Sequence, residues 1–336
     1  GPEVCQRSVI PHLFKCRDVE RSRGKQDDRQ KQSDRGDNTQ RSAGAQLPPH
    51  KLHQGHGRLP LTTFQPPPAA GKHRLYLRPL ANQVRSAERA TGAHAMTNGP
   101  PALFDSHTHL DQYDPKELPG IFLRAREAGV AGVVTAGVTV ISSEQCVALA
   151  RENSGFVWAG VGVHPMESAI DLTDADVERL RELATEPTVV CVSEVGLDHQ
   201  PGMPGRSTQD RGFRLQLQIA VDADLPVIFH NRDAGMEPLR VLDEELQGRV
   251  KMVAHYFQGP ADYAQACLDR GIYFSLAKPI LRLPELQDLV RDLVPLDRIV
   301  LETDAFPQPF KRKRSNWTEP WQVTHVAEKV AELKSV

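Results

Sequence analysis

No apolar run in the 336-residue chain approaches the ~18 residues of a membrane span, so neither a transmembrane helix nor a membrane partner is expected. The N-terminus has no charged start followed by an apolar segment, so secretion is not indicated. Cysteine is sparse. Cys5, Cys16, Cys146, Cys191 and Cys267 are scattered, form no CxxC or Cys/His zinc spacing, and their odd number argues against a disulfide scaffold. A reducing compartment, the cytoplasm, fits best. A further absence is local. "RSRGKQDDRQKQSDRGDNTQRS", residues 21–42, contains no apolar residue and cannot bury enough surface to offset ordering entropy. "LPPHKLHQGHGRLPLTTFQPPP" breaks every regular element with Pro or Gly. Residues 1–95 carry 17 Lys plus Arg against 8 Asp plus Glu, leaving 24 of the 41 basic and 35 of the 43 acidic residues to the rest. The first methionine is Met96. Residues 1–95 are therefore expected to be a basic, low-complexity extension, disordered or non-native, and its six histidines are discounted as ligands. Electrostatic binding of nucleic acid is the alternative role for such an arm.

From Leu103 the pattern changes. Short Val- and Ile-rich runs alternate with segments whose apolar residues recur at three- and four-residue spacing, the period of amphipathic helices. The candidate strands are "ALFDSH", "GVVTAG", "FVWAGVGVHP", "VVCVSEVGLD", "PVIFHN", "KMVAHYF", "IYFSLA" and "RIVLETDA". Between them lie helical stretches such as "GIFLRAREAG", "DADVERLRELATE", "RGFRLQLQIAVDADL" and "PADYAQACLDRG". Eight strands, each followed by a helix, predict a (β/α)8 TIM barrel over residues 96–336. Near-continuously apolar strands suit a parallel sheet buried on both faces.

Polar residues fall at one end of these strands. "LFDSHTHLDQY" places His107 and His109 two residues apart, flanked by Asp105 and Asp111; in a strand such a pair shares a face. Glu194 is read at the end of strand four, His230 of strand five, His255 of strand six and Asp304 of strand eight. A barrel gathers the C-terminal ends of its strands on one face. Burying so many uncompensated polar groups would cost several kcal/mol, and a metal centre compensates them. Six ligands exceed one tetrahedral ion. Two divalent ions bridged by a carboxylate use them all, which is the arrangement of two-metal hydrolysis. Imidazole favours Zn-like ions, carboxylate and phosphate favour Mg, and Mn or Co also fit.

"FDSHTHLD", "GVHP", "SEVGLD", "LPVIFHNRDA", "AHYFQG" and "LETDAF" together resemble the TatD-type metal-dependent deoxyribonucleases of the amidohydrolase superfamily. The resemblance runs in order from Phe104 to about Leu333. It implies His107, His109, Glu194 and Asp304 around one ion, and Glu194, His230 and His255 around the second, with Glu194 bridging. It also implies that Asp304 orients or deprotonates the attacking water. The implied substrate is DNA, single-stranded or at 3′ ends, cleaved by a monomeric 3′-5′ exonuclease. Ser193, Tyr256, Gln258 and Phe306 depart from the family pattern; none is a ligand, and all are expected near the pocket mouth. The chain stops at Val336, short of the family's usual end, so reduced stability is expected.

Around these ligands, His164 in "GVHP" is read as a phosphate or substrate contact. Arg232, two residues after His230, is a phosphate clamp or the partner of a carboxylate. Lys311, Arg312, Lys313 and Arg314, with Trp317 and Trp321, are read as a loop for the nucleic-acid backbone and bases. Glu302 is expected to support a ligand from behind. His199 and His325 are taken as surface or helix residues. The competing function is hydrolysis of C–N or ester bonds in a small molecule on the same barrel. Against it stand the basic loop and the lack of a lysine at the strand-four position, where many such enzymes carry a modified, bridging lysine.

Overall fold

The computed structural model describes residues 102–167 and 172–336, so the expectation for residues 1–95 lies outside the described residues. Eight apolar runs form strands: β1 (Leu103–Thr108), β2 (Val130–Ala136), β3 (Val157–Val161), β4 (Val189–Asp198), β5 (Val227–Arg232), β6 (Met252–Ala254), β7 (Tyr273–Leu276) and β8 (Ile299–Leu301). They pair in parallel, in sequence order. The helices are α1 (Leu118–Glu127), α2 (Val140–Glu152), α3 (Asp174–Ala184), α4 (Arg206–Ala223), α5 (Glu237–Leu246), α6 (Ala261–Asp269), α7 (Pro284–Asp292) and α8 (Val323–Lys334). The alternation is the expected (β/α)8 barrel. Closure between β8 and β1 uses the residues of interest. Asp304 N donates to His107 O (3.0 Å), and His109 N donates to Ala305 O (2.8 Å). Among the described residues no helix is long and apolar enough to cross a membrane.

Two apolar layers hold the barrel. The larger lies between strands and helices. On α4, for example, Phe213, Gln216, Leu217 and Ala220 form a buried stripe at helical spacing. The second draws on all eight strands through Phe104, Val134, Trp158, Val190, Cys191, Ile228, Val253, Tyr273 and Val300, filling the barrel as side-chain layers do. Two buried glutamines of α4 clip the catalytic-face loops. Gln216 accepts from Val163 N (2.6 Å) and donates to Val163 O (3.1 Å). Gln209 accepts from Asp198 N (2.8 Å) and donates to Asp198 O (2.7 Å).

Four strand ends differ from expectation. His230 is the fourth of six residues in β5, and Asp304 lies three residues beyond the end of β8, held by its bond to His107 O. β3 stops at Val161 rather than at His164, because Val163 N is taken by Gln216 and His164 N by Val138 O (2.9 Å). Glu194 does not end β4; it is the sixth of ten residues. Beyond it β4 stays paired with β5, Gly196 opposite His230 and Asp198 opposite Arg232. Gly196 has φ +146°, and a Cβ there would meet His230 O at 2.1 Å, so no side chain fits.

Candidate metal centre

Glu194 is almost fully buried, and its two oxygens face different groups. Oε2 lies 3.3 Å from His107 Nε2 and 3.5 Å from His109 Nε2. Oε1 lies 2.9 Å from His230 Nδ1, 3.4 Å from His255 Nε2 and 3.4 Å from His164 Nε2. Asp304 joins the first group, with Oδ1 3.3 Å from His109 Nε2. All six residues expected to bind metal are thus brought together, and His164 stands among them. Three overlapping sets have ligand atoms within 4.8 Å of one another: His107–His109–Asp304, His107–Glu194–His255 and His164–Glu194–His230. The donor set fits divalent ions. Imidazole nitrogens and carboxylate oxygens converge at these distances from β1, β4 and β5 and from the residues that follow β1, β6 and β8.

Groups behind the candidate ligands aim them, as metal-binding imidazoles require. Behind His107 stands Ser193, expected near the mouth but fully buried, its Oγ 3.4 Å from Nδ1. His109 Nδ1 donates to Ala136 O (3.0 Å), leaving Nε2 with its lone pair towards the centre. His255 Nδ1 faces the Glu302 carboxylate at 3.1 Å, and Glu302 also accepts from Tyr256 N (2.8 Å) and Ser275 Oγ (2.5 Å). The expectation for Glu302 is met in its position. His230 sits between Glu194 at Nδ1 and Asp198 Oδ2, 3.3 Å from its Nε2. Sequence reasoning missed Asp198. The signal was its place two and four residues from Gly196 and Glu194, the period that puts strand residues on one face. His164 differs from the rest. Its Nδ1 accepts from Met166 N (3.0 Å), so the neutral ring carries its proton on Nε2 and presents a donor, not a lone pair.

The charges follow from packing acids and imidazoles without water. Burial alone would lower the pKa of His109, but hydrogen bonds to Asp304 and Glu194 raise it well above the ordinary value. His255 is likewise disfavoured by burial, yet the Glu302 and Glu194 charges push it up to about 10. His230 is raised by Asp198 and Glu194 against burial. His107 moves down, through burial and the His255 charge. Burial would raise Glu194 and Asp304, but the histidines around them hold both below the usual carboxylate range. Beside the centre, burial lifts Asp105 well above the carboxylate range, even though it accepts from Thr303 N (2.9 Å) and Thr303 Oγ1 (2.5 Å), tying β1 to the segment after β8.

A cavity of about 940 Å³ opens over the centre, lined by His109, His164, Glu194, His230, Arg232, His255, Asp304 and several apolar side chains. Arg232 Nη2 lies 2.5 Å from Asp198 Oδ2, so it pairs with a carboxylate while still lining the cavity. The basic loop divides. Arg314 is committed to Glu117 (3.0 Å) and Glu319 (2.9 Å), and lies over the Trp317 ring at 4.4 Å. Trp317 packs against the core, and Trp321 against His325. Lys311 Nζ donates to Gln308 Oε1 (2.6 Å) and Asn316 O (3.0 Å). Burial and the neighbouring Lys278 ammonium hold its pKa below the usual lysine value. Arg312 and Lys313 are exposed. His199, expected at the surface, has a side chain only 3% exposed, 3.9 Å from Glu237, whereas His325 is exposed.

The family model described as "TatD related DNase" matches residues 104–336. A protein of Bacillus subtilis described as an uncharacterized metal-dependent hydrolase is 34% identical over 241 residues, 70% of this chain and 92% of its own length. The 3′-5′ ssDNA/RNA exonuclease TatD of Erwinia tasmaniensis is 33% identical over 240 residues, 69% of this chain and 92% of its own. Among solved structures, the Escherichia coli TatD homologue YjjV superposes with a TM-score of 0.62 at 28% identity, covering 69% of this chain and 90% of its own. With this match spanning the whole barrel and the centre above it, the chain belongs to the TatD family of metal-dependent hydrolases.

Proposed function

We propose that this hydrolase is a nuclease that removes nucleotides from the 3′ end of single-stranded DNA. The observation that carries the reading is the division of donors between the two oxygens of Glu194, which fits a carboxylate bridging two ions. His107, His109 and Asp304 would complete one site, and His230 and His255 the other. Two divalent ions held there, Mg, Mn, Zn or Co, would supply positive charge for the phosphoryl oxygens and acidify a water. The chain's own groups do the rest. Asp304, held deprotonated and half-open to the cavity, accepts the proton of the attacking water at its carboxylate. His164 offers its Nε2 proton to a phosphoryl oxygen. Arg232, oriented by Asp198, has further N–H groups for a phosphate. The relatives named as ssDNA/RNA exonucleases support a nucleic-acid substrate.

Surface charge supports it too. Lys278 and Arg282, in the segment after β7, and Arg312 and Lys313, after β8, bring four cations to the two segments that follow these strands. A small substrate confined to the cavity would not need cations outside its lining; a strand leaving it would. The test is digestion of a 5′-labelled single strand by the metal-loaded protein. A ladder shortening one nucleotide at a time from the 3′ end is expected. Inertness towards DNA together with turnover of an acyl amide or ester would replace this reading with small-molecule hydrolysis.

A further inference from the structure

The polar floor of the cavity has an apolar rim. Met166 follows β3 and Met236 follows β5, and the two residues are 45% and 46% exposed. The same cavity is lined by two rings. Tyr256 directly follows His255 and lines the cavity. Its backbone is left-handed (φ +46°), an uncommon state for a bulky residue, and is held there by the bond from its N–H to Glu302. The ring lies 5.7 Å from that of His255, tilted by 44°. Phe306, two residues after Asp304, lines the same cavity and is only half-buried. Apolar side chains left open to water beside a centre of buried charge call for a ligand that covers them. A ligand that fits has an anionic group for the floor and a flat apolar face, next to it, for the wall.

We propose that Tyr256 and Phe306 form the stacking wall for the base of the 3′-terminal nucleotide, and so set the preference for an unpaired base. This rests on the nuclease reading above. A base held in a duplex cannot turn its face to the wall, whereas a free terminal base can, and stacking on an aromatic ring accepts any base. The wall acts on binding: it touches the base, not the bond that is cut.

The experiment uses the metal-loaded protein and two 5′-labelled single strands that differ only in having a normal or an abasic 3′-terminal nucleotide. The parent is expected to remove the normal terminal nucleotide with a kcat/KM about tenfold above the abasic one, equal to about 1.4 kcal/mol, with the difference mostly in KM. In the double variant Tyr256→Leu, Phe306→Leu the ratio should fall towards one. Tyr256→Phe should retain it, since the ring remains. Equal rates on both strands in the parent would overturn the wall without touching the nuclease reading. So would a ratio that survives in the double variant. A parent that cuts neither strand would remove the nuclease reading and the wall with it. The comparison on the parent stands even where a variant folds poorly.

Discussion

On the Oε2 side of Glu194, His107 and His109 are placed by the backbone itself. The hydrogen bonds that close the barrel run through His107 O, His109 N and Asp304 N. On the Oε1 side the candidate ligands are placed by carboxylates behind them, Asp198 for His230 and Glu302 for His255. One half therefore inherits its geometry from the fold. The other depends on side chains that can be changed without opening the barrel. It follows that the second half can be tuned or damaged alone, while damage to the first also reaches the β1–β8 seam.

The change that should break the comparison outright is Glu194→Gln, because it removes the charge shared by both halves and turns one arm into an amide. Metal content after dialysis should be about two ions per chain in the parent and about one or fewer in the variant, with turnover lost. Two retained ions with parental turnover would sink the bridged centre. His107→Ala and His230→Ala should each leave about one ion, on opposite sides. Asp304→Asn should lower kcat by roughly 10²–10⁴-fold, the usual contribution of a positioned proton acceptor.

Asp198→Asn sharpens the contrast. Burial opposes its charge, but the adjoining His230 imidazole and Arg232 guanidinium hold its pKa far below the carboxylate range, so it is an anion anchoring both. Losing that charge should weaken one ion about tenfold, as changes behind a ligand do, and leave the other. Equal weakening of both ions, followed by metal titration, would show that the halves are not independent.

Protons give a smaller difference. His230 and His255 are both raised in the metal-free protein, whereas on the other side His109 is raised and His107 lowered. A raised histidine stabilises the metal-free fold below its ordinary value near 6.5. That contribution is lost as pH climbs through the folded value, about 10 for His255. Ions need the deprotonated ring, so near neutral pH their binding should release protons, more on the Oε1 side. Calorimetry in buffers of different ionisation enthalpy measures this. Equal release in His107→Ala and His230→Ala would contradict the assigned directions.

The barrel was legible because parallel strands buried on both faces read as unbroken apolar runs, and the convergence of six candidate ligands because polar residues inside such runs stand out. Less legible was anything set by contacts distant in sequence. Nothing near His164 tells that Met166 N fixes its proton on Nε2. Asp198 lay inside a motif already singled out, but its partner Arg232 comes from β5. A lone acid in an apolar run, as Glu194 is, looks like a strand end, whereas the β4–β5 pairing carries on past it. Arg314 looked like its three neighbours in "KRKR" until Glu117, nearly two hundred residues earlier, was seen against it.

That last contrast yields the smallest predicted effect. Arg314 spans Glu117 and Glu319 and covers Trp317, so Arg314→Ala should loosen the fold, not the substrate. Partly exposed ion pairs contribute about 0.2–1 kcal/mol, and a cation over an aromatic face about 0.5–1. Glu319 keeps Arg124 at 2.7 Å, which limits the loss. A fall in Tm of about 2–4 °C is expected for a domain of this size, with the salt dependence of DNA binding unchanged. Arg312→Gln with Lys313→Gln should do the reverse. Tm should hold, while the slope of log K against log salt flattens by about 1.4, at ~0.7 for each phosphate contact on a single strand. If Arg314→Ala flattened the slope and the double variant did not, the division of this loop into an anchor and a binding edge would be wrong, and the strand would have to leave the cavity by another side.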